Sequence, residues 1–229
     1  MSSSPIVLSL GGSLIAKAEG IDLTFLKTFR AFLRREVAKG QRCIVVVGGG
    51  VTARHYMQAA DAIARPTAEE KDWMGIYATR CNAMLVRALF GDLAHPVIIE
   101  QPQKRVRWTT SILVAGGWKP GWSTDYVATV LAKRHGAKTI VNLTNIERVC
   151  SADPKTCVSA RTYDRLTWKD YRDIVGSTWR PGMSTPFDPI ASAFAQKAKM
   201  RVIVAMGSDL KNLQQIMENK PFVGTVLEG

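Results

Sequence analysis

Three glycine clusters stand where apolar runs end: Gly11 and Gly12 followed by Ser13, Gly48 to Gly50, and Gly116 with Gly117. Glycine tolerates positive φ and lets the backbone approach a ligand, and a helix starting just behind such a turn aims free N–H groups at an anion. One such turn serves plain structure about as often as binding. Three at one edge of a sheet would form a polyphosphate cradle. Neither GxxxxGK nor GxGxxG occurs, which excludes the P-loop and dinucleotide versions of that cradle. Arg54, four residues beyond Gly50, falls on the first turn of the next helix, where a guanidinium can fork onto a phosphate; its bland reading is a solvated arginine. Asp72 suits a ribose, since a carboxylate accepts hydrogen bonds from both hydroxyls, or else is an idle acid in a helical first turn. Asp125 can hold the amides and lysines of a site in place, or simply begin a helix.

These groups need rigid elements behind them. Ile6 to Leu10 reads as a short strand, and Asp22 caps a helix that turns Leu23, Leu26, Phe29, Phe32 and Leu33 inward until Gly40. Cys43 to Val47 is a strand running through the triple glycine into a helix from about Thr52. Thr67 with Glu70 forms a capping box for a long helix ending near Gly91. Strands are expected at Val97 to Ile99, Ile112 to Ala115, Thr139 to Leu143 and Val202 to Ala205. Helices are expected over Ser123 to His135, after Thr167, after Asp188 with Pro189, and from Leu210 to Met217 behind Asp209. This alternation predicts an α/β fold in which a mostly parallel sheet is covered by helices on both faces, with ligands beyond the carboxyl ends of the strands. No linker divides residues 1–229, so one domain is expected.

With 46% hydrophobic and 22% charged residues and a mean hydropathy of -0.02, the composition is that of a globular protein. The apolar runs are far too short for a bilayer, and the first residues do not form a secretory signal. A cytoplasmic protein without a membrane partner is expected. The four cysteines show no metal-site spacing, so no metal ligands are assigned; all four read as reduced, with Cys43 and Cys81 in the core. A disulfide between Cys150 and Cys157 is the less favoured reading. A net charge of +12 favours anionic partners. Much of it recurs along one amphipathic helix, and Lys104 to Arg107 beside Trp108 reads as a surface loop. No nucleic-acid motif accompanies it, and no nucleic-acid partner is expected.

The segments LSLGGSLI, VVVGGGVTAR, DWMGIYATRCNAML, GGWKPGWSTD, LTNIERVCSADP, PFDPIAS and the closing GTV, in this order and spacing, resemble the amino acid kinase superfamily, and within it the archaeal-type UMP kinases. The resemblance implies a three-layer α/β/α sandwich, a homo-hexamer, and transfer of the ATP γ-phosphoryl group to UMP with Mg²⁺, a step of pyrimidine nucleotide biosynthesis. By the same resemblance Gly12, Ser13, Gly50, Arg54, Thr144, Cys150 and Asp153 belong to the ATP side. Gly49, Asp72 and the loop Trp118, Lys119, Pro120, Gly121, Trp122, Ser123 and Thr124 belong to the UMP side. Asp125, Lys119 and Arg54 are the catalytic candidates.

The chain also departs from the pattern. Ser9 stands where many superfamily members carry a lysine, and Ala193 replaces another. Glu147 and Arg148 replace an Asp-Gly turn, and Cys150 replaces an aromatic residue that would border the adenine. Phosphoryl transfer needs cations around a charge-rich transition state. Lys17, Lys119, Lys197 and Arg54 are the candidates to supply them, with Lys119 preferred for its place in the GGWKPG loop. The alternatives to a UMP kinase are a superfamily kinase for another small phosphorylated acceptor and a nucleotide-binding homologue with little catalysis.

Overall fold

Runs rich in valine, isoleucine and leucine form the strands β1 (Ile6–Leu10), β2 (Cys43–Val47), β3 (Ile112–Ala115), β4 (Thr139–Thr144), β5 (Arg165–Thr167), β6 (Arg201–Met206) and β7 (Thr225–Glu228). They make one sheet in the order β3-β2-β1-β4-β6-β7-β5. All neighbours are parallel except β6 and β7. The structure is a computed structural model that describes residues 4–153, 156–178 and 185–229. Pro154, which ends one of the segments quoted above, and the start of the chain through Ser3 lie outside the described residues.

The helices are α1 (Leu23–Ala38), α2 (Gly50–Ile63), α3 (Ala68–Ala88), α4 (Thr124–Arg134), α5 (Trp168–Val175), α6 (Pro189–Lys197) and α7 (Leu210–Met217). Side chains of Asp22, Thr67, Ser123, Thr167, Asp188 and Asp209 accept the free amides at six of their starts, each cap stabilising by roughly 1 kcal/mol. On one face of the sheet Phe25, Phe29, Leu33, Val86 and Leu213 bury against Leu8, Val45 and Val141. On the other, Val127, Leu131, Trp168, Tyr171 and Ala195 bury against Val7, Ile44 and Val202. The result is a three-layer α/β/α sandwich, as expected. The sheet interior is sealed on both sides, which is why its strands read as unbroken apolar runs rather than alternating ones.

Two expectations are corrected. Val97 to Ile99 is not a strand: pairing is limited to isolated bridges from Ala94 to Ile112 and Ile99 to Ala115. Pro96 lacks an N–H, and the Val97 amide is taken by the His95 ring, so the ladder cannot continue between the two bridges. Cys81 is exposed, while Cys43 is buried as expected; Cys81 falls on the outer face of α3. The two strands β5 and β7 were not foreseen. β7 reverses direction beside β6 and extends the sheet past the parallel region. The loop beyond Lys104 is tied to the body, with the Arg42 guanidinium 3.8 Å over the Trp108 ring.

Candidate active site

The glycine turns are organised by α3. Asn82 donates from Nδ2 to the carbonyls of Gly48 at 2.9 Å and Gly49 at 3.2 Å. One turn earlier, Thr79 Oγ1 accepts the Gly117 N–H at 2.6 Å. Arg80 donates from Nε to the Gly117 carbonyl and from Nη2 to that of Trp118. Near the start of α3, Asp72 Oδ2 accepts the Gly121 N–H at 2.6 Å. A single helix thus fixes the loop after β2 and the loop after β3. Thr79, Arg80 and Asn82 are functional supports to which sequence reasoning gave no role; their signal was polar residues recurring within the DWMGIYATRCNAML segment.

The first two glycine turns also brace each other. A Cβ on Gly12 would lie 2.3 Å from the Gly50 nitrogen, and one on Gly50, whose φ is +58°, would lie 2.2 Å from the Gly12 carbonyl carbon. These two glycines are needed for the backbones to meet, whatever else they bind.

Two cavities open at the carboxyl ends of the strands. The first, about 200 Å³, is lined by Gly49, Gly50, Arg54, Asp72, Trp122, Ser123 and Thr124 among the expected residues. Arg54, expected with the donor, therefore shares a cavity with residues expected around the acceptor. Burial raises the Asp72 carboxyl above its ordinary pKa, opposed by the Gly121 N–H. α2 begins here without a side-chain cap at Gly49, which leaves first-turn amides facing the space where an anion would be favoured. Lys119 is brought elsewhere: it is exposed, with its ammonium 4.5 Å from the centroid of the Trp118 ring. Lys71, not singled out from sequence, does line the cavity. Trp122, which lines the cavity, packs on Tyr126 at 4.1 Å between ring centroids and lies 5.9 Å from Trp118.

The second cavity, about 790 Å³, is lined by Thr144, Cys150 and Asp153, together with Ile146, Glu147, Arg148, Ile174, Val175 and Met206. Its walls mix apolar side chains with a few polar groups, as a base and ribose require. Arg148 is turned onto Asp164 at 2.7 Å. Gly12 and Ser13 sit in a single 3-10 turn behind β1 and are not among the lining residues of either cavity.

Behind the turns, Asp125 accepts the Ser9 hydroxyl at 3.0 Å and the Asp188 N–H at 3.1 Å. Its side chain is half-buried, and desolvation of the carboxyl first, then the neighbouring Asp188 charge, push its pKa up to about 7. Asp188 caps α6 with Oδ1, and the Tyr171 hydroxyl steadies the preceding Phe187 through its N–H and carbonyl. The other Asp188 oxygen is buried without a well-formed hydrogen bond, the Ser123 hydroxyl lying beside it. Ala193 and Lys197 are both exposed on α6, and Lys17 is turned onto Asp22 at 2.6 Å. Among the described residues no group of three or more His, Cys, Asp or Glu side chains is placed to hold a metal ion.

A mostly parallel α/β/α sandwich with braced glycine turns and two cavities past its strand ends defines a class of proteins that bind phosphorylated ligands at that edge. The chain belongs to the amino acid kinase family, whose model matches residues 4–206. It is 35% identical over 226 residues to a uridylate kinase of Thermoplasma volcanium, covering 97% of both chains. It is 36% identical over 225 residues to a uridylate kinase of Methanospirillum hungatei, covering 97% of this chain and 94% of the other. The solved uridylate kinase from Archaeoglobus fulgidus superposes with a TM-score of 0.78 at 30% identity, covering 97% of this chain and 99% of that one. A UMP kinase from Bacillus anthracis superposes at 0.79 with 20% identity, over 98% and 96% of the two chains, a likeness of fold alone.

Proposed function

We propose that the chain transfers the γ-phosphoryl group of ATP, supplied as its magnesium complex, to UMP, giving ADP and UDP. The observation that carries this reading is a coincidence: the chain aligns with uridylate kinases almost end to end, and residues 49, 72 and 122–124 meet in one cavity. In this reading the UMP phosphate faces the start of α2 and Arg54, Asp72 takes the ribose, and the larger cavity takes the ATP nucleoside. A phosphate oxygen of UMP forms a bond to the γ-phosphorus while the bond from that phosphorus to the β-bridging oxygen breaks, and ADP departs with the electron pair. Arg54 and the α2 amides stabilise the charge that spreads over the transferred group. Asp125 touches no substrate in this scheme; it joins β1, through Ser9, to the start of α6. Mg²⁺ would arrive on the ATP phosphates and would offset part of their charge.

The remaining expectations stand as parts of the same proposal: one domain over residues 1–229, a cytoplasmic enzyme of pyrimidine nucleotide synthesis, and a homo-hexamer. No described helix is long and apolar enough to cross a membrane. Self-association is supported by α3, where exposed Tyr77, Cys81 and Met84 follow Trp73 at helical spacing. The test of function is ADP release with ATP, Mg²⁺ and a panel of nucleoside monophosphates. Turnover confined to UMP is expected; turnover of another acceptor in its place, or none, would overturn the reading.

A further inference from the structure

Lys71 has no role in the scheme above, yet it lines the first cavity together with Arg54 and Asp72. Its ammonium crosses from the first turn of α3 to the last turn of α2, where it contacts Asp61 Oδ1 at 3.0 Å and Oδ2 at 3.3 Å. Asp61 does not line the cavity, and about half of its side chain is exposed, against 31% for Lys71. The lysine therefore has two places to spend its charge, a solvated carboxylate outside and the cavity beside Asp72. An exposed lysine-carboxylate pair is weak and held by a flexible four-carbon stem. A phosphate dianion offers more charge and more acceptor oxygens than a carboxylate.

We infer that Lys71 is a second cation for the acceptor's phosphate, in the same cavity as Arg54, and that Asp61 is the competitor that sets how much of its charge the acceptor receives. The inference rests on the acceptor being a nucleoside monophosphate bound in this cavity. It places one cation on each of the two helices that flank the phosphate, Arg54 on α2 and Lys71 on α3. With lysine absent at positions 9 and 193, the positive charge near the transferred group then comes from this side of the site.

Removing either partner breaks the same ion pair but has opposite consequences for the cavity. Lys71→Gln is expected to raise the KM for UMP by about 10-fold, the worth of one charge-assisted contact, while the KM for ATP stays put. Asp61→Asn is expected to lower the KM for UMP, by about 2-fold, because the ammonium is released to the phosphate. Lys71→Arg should stay near wild type. A Lys71 that merely ties α2 to α3 gives a different pattern: both neutral variants lower Tm alike and leave both KM values unchanged, which would overturn the inference while UMP turnover by the wild type continues. Calorimetric titration of the same proteins with UMP reads the same contrast in Kd. A wild type that neither turns over nor binds UMP overturns the proposed function, and this inference with it.

Discussion

The Asp188 backbone N–H donates to Oδ2 of Asp125 at 3.1 Å, so the segment that holds the Asp125 carboxylate also brings a second carboxylate up against it. The other partner of Asp125 is the Ser9 hydroxyl, and both donors are neutral. Burial then dominates, and the pair becomes a site where ionisation is costly.

Stability is expected to carry this cost with a definite sign. The Asp125 pKa rises from 3.8 to about 7 on folding, so between those values the folded protein keeps a proton that the unfolded chain has released. Stability from this group is therefore lost as pH rises through that window. In Asp125→Asn the amide can donate to Ser9 and accept from Asp188 without any charge. Melting curves from about pH 5 to about pH 8 should show the variant gaining on the wild type, by about 2–4 °C for each kcal/mol recovered. Parallel curves would show that Asp125 is ionised throughout.

Asp72 should separate its two tasks. Asp72→Asn retains an oxygen for the Gly121 N–H and loses only the charge, so it should raise the KM for UMP by about 10-fold, the worth of a charged hydrogen bond, with ATP affinity unchanged. Asp72→Leu also frees Gly121 and should lower kcat as well. Equal losses for both nucleotides in calorimetry would remove Asp72 from the acceptor.

Gly75 offers a stability gain that works against activity. A Cβ there would meet only the Met57 methyl, at an ordinary 3.6 Å, and alanine in a helix interior is worth about 0.5–1 kcal/mol over glycine. Both Gly75 and Met57 line the first cavity. Gly75→Ala is expected to raise Tm and, by narrowing the cavity, to raise the KM for UMP; a variant with unchanged KM would place the acceptor elsewhere.

Arg54 and Lys119 can be ranked by turnover. Arg54→Met should lower kcat by about 100-fold or more if its guanidinium faces the transferred charge, whereas Lys119→Met should be mild because that ammonium lies over Trp118. The reverse order would show that the loop carries Lys119 into the site during turnover.

The outer face of α3 gives an assembly prediction. Tyr77 and Met84 are 62% and 52% exposed, and an apolar stripe of this kind favours burial against a second copy. Light scattering on Tyr77→Glu with Met84→Lys should report smaller particles than the wild type, and a wild type that is monomeric at micromolar concentration would remove the hexamer.

Much of this architecture was legible because it is local. The caps at Asp22, Thr67, Thr167 and Asp209 lie within three residues of the amides they hold, and the glycine turns announce themselves. What stayed hidden depends on distant partners or on helix rotation. Asn82 reaches Gly48 and Arg80 reaches Trp118 across 34 and 38 residues, and no spacing rule connects them. Lys119 stands out in the sequence by its GGWKPG loop and Lys71 does not, yet the placement of α3 against α2 brings Lys71 to the cavity while Lys119 lies over Trp118. Cys81 reads as core in the sequence because cysteine is a small apolar residue, yet while Ala78, Thr79, Asn82 and Ala83 are buried, it falls on the exposed side of the helix.

The contact between Gly12 and Gly50 limits how descendants of this chain can vary. What each prospective Cβ would strike is the other residue's main chain, which every amino acid shares. A second substitution at the facing position therefore cannot relieve the first, and the two sites cannot drift as a compensating pair. Each is separately frozen as glycine for as long as the two turns keep their approach, and lineages that lose either must rebuild both loops together.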